Sequence, residues 1–214
     1  FIDIIKRAKG KYLAILEGDD FWIDNYKLQK QVDALEQNPD SYICYTNSRI
    51  IDDNDGFIQN FYKTPEQPKG WFQAPPEKLT FDTLINGNFI NTATIMYRRI
   101  ENLEIPEWFY DLKLGDWPFS LIHAKKGNLL FLNEITACYR QHSASNWSSK
   151  DTLFTNTNTI DCFVELRKHF KDSTIQIDKC IRKLREHNLF IYLQKCLDLY
   201  KNGKLDEANE LIDN

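Results

Sequence analysis

The sequence predicts an α/β fold, with a mixed sheet and flanking helices over residues 1–150 and an all-helical segment over 151–214. Two observations support this division. Before residue 150, short apolar and β-branched runs that are typical of buried strands alternate with helical patterns. After about Asp151, apolar residues recur only with the spacing of an amphipathic helix.

Local patterns justify each element of the first half. Leu28, Val32 and Leu35 recur at i, i+4 and i+7 and predict a helix, which Asn38-Pro39 ends. Apolar runs and turn-forming residues predict the other elements before position 90. The predicted order is a helix end at 2–10, a strand at 12–16, a helix at 25–37, a strand at 42–51, a turn at 52–56, an irregular loop at 57–80 and a short helix at 81–86.

The second half continues with a strand, a helix and a pair of strands. Pro118 in the first turn and Gly127 after the last turn define the helix. A polar loop follows the last strand, and helical patterns follow the loop. The predicted order is a strand at 91–98, a helix at 116–126, strands at 129–132 and 135–139, a loop at 140–148 and helices from 151 onward.

Composition excludes several classes of protein. The formal net charge of the 214 residues is -4, which argues against a nucleic-acid-binding protein because such proteins carry a concentrated basic face. The five cysteines are widely spaced and include no C-x-x-C pair, so neither a zinc site nor a disulfide framework is expected. A reducing cytoplasm is the compartment that this cysteine usage favours.

An acidic segment, Glu17-Gly18-Asp19-Asp20, follows directly after the predicted strand at 12–16. Two like charges about 4 Å apart repel by roughly 4 kcal/mol at an effective dielectric constant near 20. Solvation, proton uptake or a bound cation can relieve this repulsion. Ligands bind at the carboxyl ends of strands in open α/β sheets, so the segment predicts a divalent metal held against an anionic substrate. The alternative is a solvated acidic turn.

The stretch from Ala8 to Trp22, together with Lys27–Asp33 and Asn38-Pro39, resembles the metal-site segment of the family-2 inverting glycosyltransferases of the GT-A type. The resemblance covers about residues 8–148. It implies a partial GT-A-like, Rossmann-like sheet whose N-terminal nucleotide-binding part precedes Phe1. It further implies that an acidic D-x-D-type motif binds Mg²⁺ or Mn²⁺ on the diphosphate of a nucleotide-sugar, although Glu17 stands where an aspartate is commoner.

The resemblance also suggests roles for individual residues. Asp19, Glu17 and His142 are the expected metal ligands, and Asp116 is the expected general base. The remaining residues expected to contact the donor, in addition to Glu17, are Asp20, Arg140 and Trp147.

Each role has a plain structural alternative. Asp116 opens the helix predicted at 116–126, and its role could be that of N-cap alone. His142 could be a surface histidine, and Arg140 could pair with nearby acids rather than with phosphate oxygens. The loop at 145–148, which carries Trp147, is a candidate lid, and the loop at 57–80 is interpreted as an acceptor-side flap.

The resulting expectation is a metal-dependent glycosyltransferase that uses a nucleotide-diphosphate sugar, most simply a UDP-sugar, and a glycan or lipid-linked acceptor. Surface polysaccharide synthesis in the bacterial cytoplasm, at the inner face of the membrane, is the setting that the resemblance implies. Two alternatives stay open. One is a non-catalytic carbohydrate-binding or scaffold module, and the other is a carboxylate-metal hydrolase that makes no use of Asp116.

Overall fold

The computed structural model describes residues 2–65, 67–145 and 147–213. The chain divides into two units, Phe1–Ser149 and Lys150–Asn214, and each is considered by itself. The first unit is a mixed α/β structure built on one eight-stranded sheet, and the second is helical, in agreement with the predicted fold class.

The sheet is built around two long strands, β3 and β8, which run parallel to each other. Along its other edge, β3 pairs antiparallel with β7 near its start and with β4 near its end. β1 lies beyond β7, β5 lies beyond β4, and β2 and β6 both pair antiparallel with β8. The strands are β1 Tyr12–Ala14, β2 Phe21–Trp22, β3 Ser41–Ile51, β4 Phe57–Lys63, β5 Gly70–Gln73, β6 Lys78–Leu79, β7 Met96–Arg98 and β8 Asn128–Arg140.

Strand β8 is continuous, whereas the sequence pattern predicted two separate strands at 129–132 and 135–139. Its register against β3 changes from Thr46↔Leu132 to Asn47↔Ile135. Asn133 and Glu134 are therefore accommodated as a bulge, and the pairing continues on both sides of it. As a result β3 and β8 end together, at Ile51↔Arg140, and deliver the loops that follow them to one edge of the sheet.

Helices α2 (Lys27–Gln37) and α4 (Asp116–Ala124) pack against this sheet. On α2 the buried residues Lys27, Gln31 and Leu35 recur every four positions, so one face of the helix is turned inward. Leu35 joins a core cluster with Cys44, Met96 and Leu130. The helices of the first unit are α1 Ile2–Arg7, α2 Lys27–Gln37, α3 Phe81–Leu84 and α4 Asp116–Ala124, with 3₁₀ helices at Thr92–Thr94 and Glu107–Asp111.

The prediction of an irregular loop over 57–80 was wrong. Three strands, β4, β5 and β6, lie within this range. Prolines dominate the pattern, but they fall between the strands, at positions 65, 68, 75 and 76, where they remove no hydrogen bond from the sheet. Gly70 begins β5, and a Cβ there would lie 2.8 Å from the backbone nitrogen of Lys63, so only glycine allows the two strands to approach this closely.

The second unit consists of α5 Thr152–His169, α6 Thr174–Lys201 and α7 Leu205–Asp213, with a 3₁₀ turn at Lys171–Ser173. Asp151 is the N-cap of α5, and its carboxylate accepts the N–H of Phe154 at 2.8 Å. Helix α5 packs against α6, and α6 packs against α7. No helix in the described parts of the chain is both long and apolar enough to cross a bilayer.

Candidate active site

The acidic segment forms a tight turn between β1 and β2. The carbonyl of Glu17 accepts the N–H of Asp20 at 3.3 Å, and Gly18 and Asp19 form the exposed part of the turn. The Asp20 side chain points inward and is only 7% exposed. Its Oδ1 accepts the backbone N–H of Arg140 at 2.9 Å, which attaches the turn to the end of β8.

The second oxygen of Asp20 remains without a hydrogen-bond donor among the described residues, although it is buried. Burial raises the pKa of Asp20 to about 6, and the N–H of Arg140 limits that rise. Buried carboxylate oxygens are normally satisfied, so this oxygen marks a position where a water molecule, a cation or a ligand donor fits.

Asp19 lies beside His142, as expected for two ligands of one metal ion. His142 Nε2 is 2.9 Å from Asp19 Oδ2, and the two side chains are 19% and 40% exposed. The contact forms because His142 leaves β8 only two residues after its end, on the edge where β2 pairs with β8. The structure thus brings together two of the three predicted metal ligands.

Asp116 exerts an electrostatic effect on Glu17 in the acidic segment. Loss of hydration, the largest cause, and the carboxylates of Asp116, Asp20 and Asp19 together raise the pKa of Glu17 to about 7, with Asp116 the largest of the three charge effects. Glu17 is exposed to solvent, although burial is the leading cause of this shift in pKa. The carboxylates of Glu17 and Asp116, 99 positions apart by their residue numbers, are thus close enough to affect each other.

Asp116 is not an N-cap. Gly115 occupies the N-cap position of α4, and Asp116 is the first residue of the helix. Its Oδ2 accepts two hydrogen bonds from side chains, one from Asn88 Nδ2 at 2.9 Å and one from Thr92 Oγ1 at 3.2 Å. The carboxylate is therefore held by the segment that precedes β7 rather than by the N–H groups of its own helix.

The 3₁₀ helix Thr92–Thr94 connects the two halves of the site. Its Ala93 carbonyl accepts the indole N–H of Trp22 at 2.9 Å, and its Thr94 carbonyl accepts Gln31 Nε2 at 2.8 Å. Trp22 follows the acidic segment by two residues, whereas Thr92 contacts Asp116. One short helix thus fixes the spacing between the metal-ligand candidates and the candidate base.

Arg140 uses its guanidinium group to hold neighbouring loops. Nε donates to the carbonyl of Asp19 at 3.1 Å, Nη1 donates to the carbonyl of Asp52 at 3.1 Å, and Nη2 forms an ion pair with Asp55 Oδ1 at 2.8 Å. The predicted acidic turn at 52–56 is thereby attached to the end of β8. These contacts favour the salt-bridge alternative, while the contact of Arg140 with a donor phosphate stays a prediction.

Trp147 lies in the loop after β8. The residue is 38% exposed, and its backbone N–H donates to Ser145 Oγ at 3.3 Å. The predicted lid includes Asn146, which lies outside the described residues. The contact of Trp147 with the donor therefore also stays a prediction.

The described residues of this site do not form a complete set of protein ligands for a metal ion. In the ranges that the structure describes, no three His, Cys, Asp or Glu side chains are grouped to bind a metal ion by themselves. Mg²⁺, however, is usually held by one or two carboxylates together with substrate phosphates and water. Asp19 and His142 supply a donor pair of that open kind, so these two residues fit a metal that is shared with a diphosphate.

Sequence reasoning missed Asn88 and Thr92. Both precede β7, and the pattern there indicated only a strand over 91–98. Polar residues ahead of a strand are common, and nothing in their spacing signals a contact with Asp116 further along the chain. Only the fold reveals the contact.

Comparison with known proteins relates the part of the chain with the acidic segment to one protein family. The model of the family "Glycosyl transferase family 2" matches residues 2–104, which include the acidic segment, Asn88 and Thr92. Asp116 and His142 lie beyond the match. The uncharacterized protein Rv1520 of Mycobacterium tuberculosis is 34% identical over 153 residues, which are 71% of this chain and 41% of that protein.

Two relatives carry functional names. The putative teichuronic acid biosynthesis glycosyltransferase TuaG of Bacillus subtilis is 28% identical over 158 residues, or 70% of this chain and 56% of TuaG. The UDP-Glc:alpha-D-GlcNAc-diphosphoundecaprenol beta-1,3-glucosyltransferase WfgD of Escherichia coli is 30% identical over 148 residues, or 68% of this chain and 52% of WfgD. The chain thus spans about half the length of these relatives. The part of the chain that matches glycosyl transferase family 2 is residues 2–104, which carry the acidic segment.

Proposed function

We propose that the chain belongs to a metal-dependent, inverting glycosyltransferase. Its donor is a nucleotide-diphosphate sugar, most simply a UDP-sugar, and its acceptor is a hydroxyl of a glycan or lipid-linked glycan in bacterial surface polysaccharide synthesis. The names of TuaG and WfgD support this class of substrates. The observation that supports the proposal is the 3₁₀ helix Thr92–Thr94, which contacts both Trp22, next to the acidic segment, and Asp116.

The reaction is a single in-line displacement at the anomeric carbon. The acceptor oxygen forms a bond to that carbon while the bond from the carbon to the diphosphate oxygen breaks, which inverts the configuration. The acceptor proton passes to the carboxylate of Asp116, and the nucleoside diphosphate leaves with the bonding electrons. Positioning of both reactants and general-base catalysis are the contributions required of the protein.

The residues of the acidic segment serve the leaving group. A divalent cation, when bound, neutralises the charge that develops on the diphosphate. Asp19 and His142 would hold it, and Asp20 would keep the turn attached to β8 through the N–H of Arg140. Burial raises the pKa of Glu17 most, and the carboxylates of Asp116, Asp20 and Asp19 add to the rise, so a cation bound here would relieve part of the repulsion.

The test uses the full-length protein with Mn²⁺ and a panel of UDP-sugars (UDP-glucose, UDP-galactose and UDP-N-acetylglucosamine). UDP release is measured with and without a lipid-linked N-acetylglucosamine acceptor, and UDP binding is measured by calorimetry. Asp116→Asn should keep UDP binding but lower transfer by about 10²-fold or more, as expected for removal of a general base. Asp111→Asn, a change of an exposed aspartate close by in sequence, is the matched control and should leave transfer unaltered.

Other outcomes contradict the proposal in distinct ways. UDP release that needs no acceptor and persists in Asp116→Asn would indicate the carboxylate-metal hydrolase. A protein that binds glycans but neither binds UDP nor releases it would indicate a non-catalytic module. Transfer retained in Asp116→Asn would remove Asp116 from the role of base.

A further inference from the structure

The carboxylate of Asp116 is held asymmetrically. Both of its side-chain hydrogen bonds, from Asn88 Nδ2 and from Thr92 Oγ1, end on Oδ2. Among the described residues no donor contacts Oδ1 within hydrogen-bond distance. A carboxylate with one oxygen held by two donors and the other open has one orientation and one free acceptor site.

The two donors are themselves fixed. Asn88 Oδ1 accepts the N–H of Ile90 at 3.2 Å, so the amide is used at both ends and its nitrogen is directed at Asp116. Thr92 is 8% exposed and belongs to the 3₁₀ helix whose next two carbonyls accept Trp22 and Gln31. A second hydroxyl in that helix, Thr94 Oγ1, donates to the carbonyl of Asn91 at 2.7 Å.

The helix of Asp116 itself gives no such support. The N-cap of α4 is Gly115, and no side-chain cap is present at this end. An aspartate at the first position of a helix has several side-chain rotamers, and the choice among them costs conformational entropy unless neighbours restrict it. Asn88 and Thr92 are the neighbours that restrict it.

We infer that Asn88 and Thr92 are positioning residues that orient Asp116 so that Oδ1 accepts the proton of the acceptor hydroxyl. The inference rests on the proposed role of Asp116 as base and adds two residues and the identity of the reactive oxygen. Asn88 and Thr92 act through Asp116 and make no contact with the reacting atoms. The acceptor hydroxyl therefore approaches from the side of the carboxylate opposite to the Thr92–Thr94 helix.

The experiment uses the full-length protein and the donor and acceptor pair that shows Asp116-dependent transfer in the UDP-release assay. Thr92→Val removes the hydroxyl and keeps the shape, whereas Thr92→Ser keeps the hydroxyl. We expect Thr92→Val to lower kcat roughly tenfold, with the KM of donor and of acceptor within about twofold of wild type, because misorientation of a reacting group lowers the rate and not the affinity. Thr92→Ser should restore kcat to within about threefold of wild type.

Two controls separate positioning from folding. Thr46→Val removes a buried hydroxyl that bonds Thr136 Oγ1 and does not touch Asp116, so it measures the folding cost of a lost buried hydroxyl and should keep kcat. Asn88→Ala, at an exposed position, should fold normally and lower kcat, whereas Asn86→Ala, two residues earlier and also exposed, should not.

Several outcomes would overturn the inference. One is an unaltered kcat in both Thr92→Val and Asn88→Ala, and another is a Thr92→Ser variant as slow as Thr92→Val. A selective rise in acceptor KM in Asn88→Ala would mean that this residue binds the acceptor instead. In each case Asp116→Asn would still abolish transfer if the proposed function is correct, so failure of this inference is distinguishable from failure of that function.

Discussion

His142 Nε2 lies 2.9 Å from Asp19 Oδ2, although the two residues are 123 positions apart in the chain. The contact joins the turn after β1 to the loop after β8. Because imidazole and carboxylate are both competent ligands of Mn²⁺, this pair is the most direct prediction of a metal site in the molecule.

Removal of either partner should weaken metal-dependent binding of the nucleotide. We expect Asp19→Ala and His142→Ala each to lower the affinity for UDP in the presence of Mn²⁺ by about tenfold or more, with little effect when Mn²⁺ is replaced by a chelator. Titration calorimetry on the full-length protein measures both conditions. His169→Ala, a change of a histidine in the second unit, is the control, and equal affinity in all variants would remove the pair from the metal site.

The raised pKa of Glu17 predicts that this carboxylate lowers the stability of the folded protein in a pH-dependent way. The folded protein binds a proton at Glu17 up to about pH 7, whereas the unfolded chain releases it near its ordinary pKa of 4.5. The folded state therefore binds more protons in this window, so this group lowers stability as the pH rises from about 4.5 to about 7. Glu17→Gln should unfold at a higher temperature than wild type at about pH 8, and the difference should shrink toward about pH 5.

Thermal unfolding monitored by circular dichroism, with and without Mn²⁺, checks this prediction. Glu104→Gln, which changes an exposed acid outside the cluster, should show no such convergence. A Glu17→Gln variant that is less stable than wild type at high pH would contradict the idea that like charges are crowded at this turn.

Lys27, which is buried next to Trp22, predicts that stability depends on pH in the alkaline range. Lys27 is fully buried, donates to Gln31 Oε1 at 2.6 Å, and its Nζ lies 4.8 Å from the centre of the Trp22 ring. Burial lowers the pKa of Lys27 to about 8, from 10.5 in the unfolded chain. Between these values the unfolded state binds more protons, so this group makes the protein more stable as the pH rises.

Lys27→Met should remove that dependence. From about pH 7.5 to about pH 10, the free energy of unfolding of the wild type should rise relative to the variant by up to about 3 kcal/mol. Urea unfolding at several pH values gives the difference, and the exposed Lys69→Met variant serves as control. A constant difference between wild type and Lys27→Met would mean that Lys27 keeps its ordinary pKa.

The contacts of Arg140 predict an effect on stability that can be measured separately from any effect on the affinity for the donor. Arg140→Gln removes donors from the carbonyls of Asp19 and Asp52 and from the carboxylate of Asp55, which should cost about 1–3 kcal/mol of stability. Urea unfolding measures that loss, and the exposed Arg49→Gln variant is the control. Calorimetry on the same variant then decides whether the guanidinium also contacts the diphosphate, since in that case the affinity for UDP falls as well.

The fold was largely predictable where one pattern dominated. The strand pattern at 42–51 and the helix pattern at 25–37 correspond to β3 and α2 to within two residues, because each carries a full buried face. The pattern failed over 57–80, where prolines outweighed the apolar residues of β4 and β5. It also failed at 91–98, where the first half is a 3₁₀ helix, because β-branched Thr92 and Thr94 favour strands in isolation.

The site was predictable only for residues with their own chemical signature. Glu17, Asp19 and Asp20 form a dense acidic cluster that local sequence reveals, whereas Asp116 was predicted only from the resemblance to family-2 glycosyltransferases, because its local pattern indicated an N-cap. Asn88 and Thr92 contact Asp116 across 28 and 24 positions, and such contacts depend on topology rather than on spacing. The N-cap alternative for Asp116 failed for the same reason, since its partners come from a distant segment.

The attachment of Asp20 to Arg140 also has a consequence for biosynthesis. The carboxylate is translated 120 positions before the N–H group that satisfies it, and the parallel partner of β3 is translated with that N–H group. A nascent polypeptide therefore exposes its acidic turn while most of the first unit is still being made. Any premature stop before residue 140 would yield a polypeptide in which the buried Asp20 carboxylate lacked this hydrogen bond.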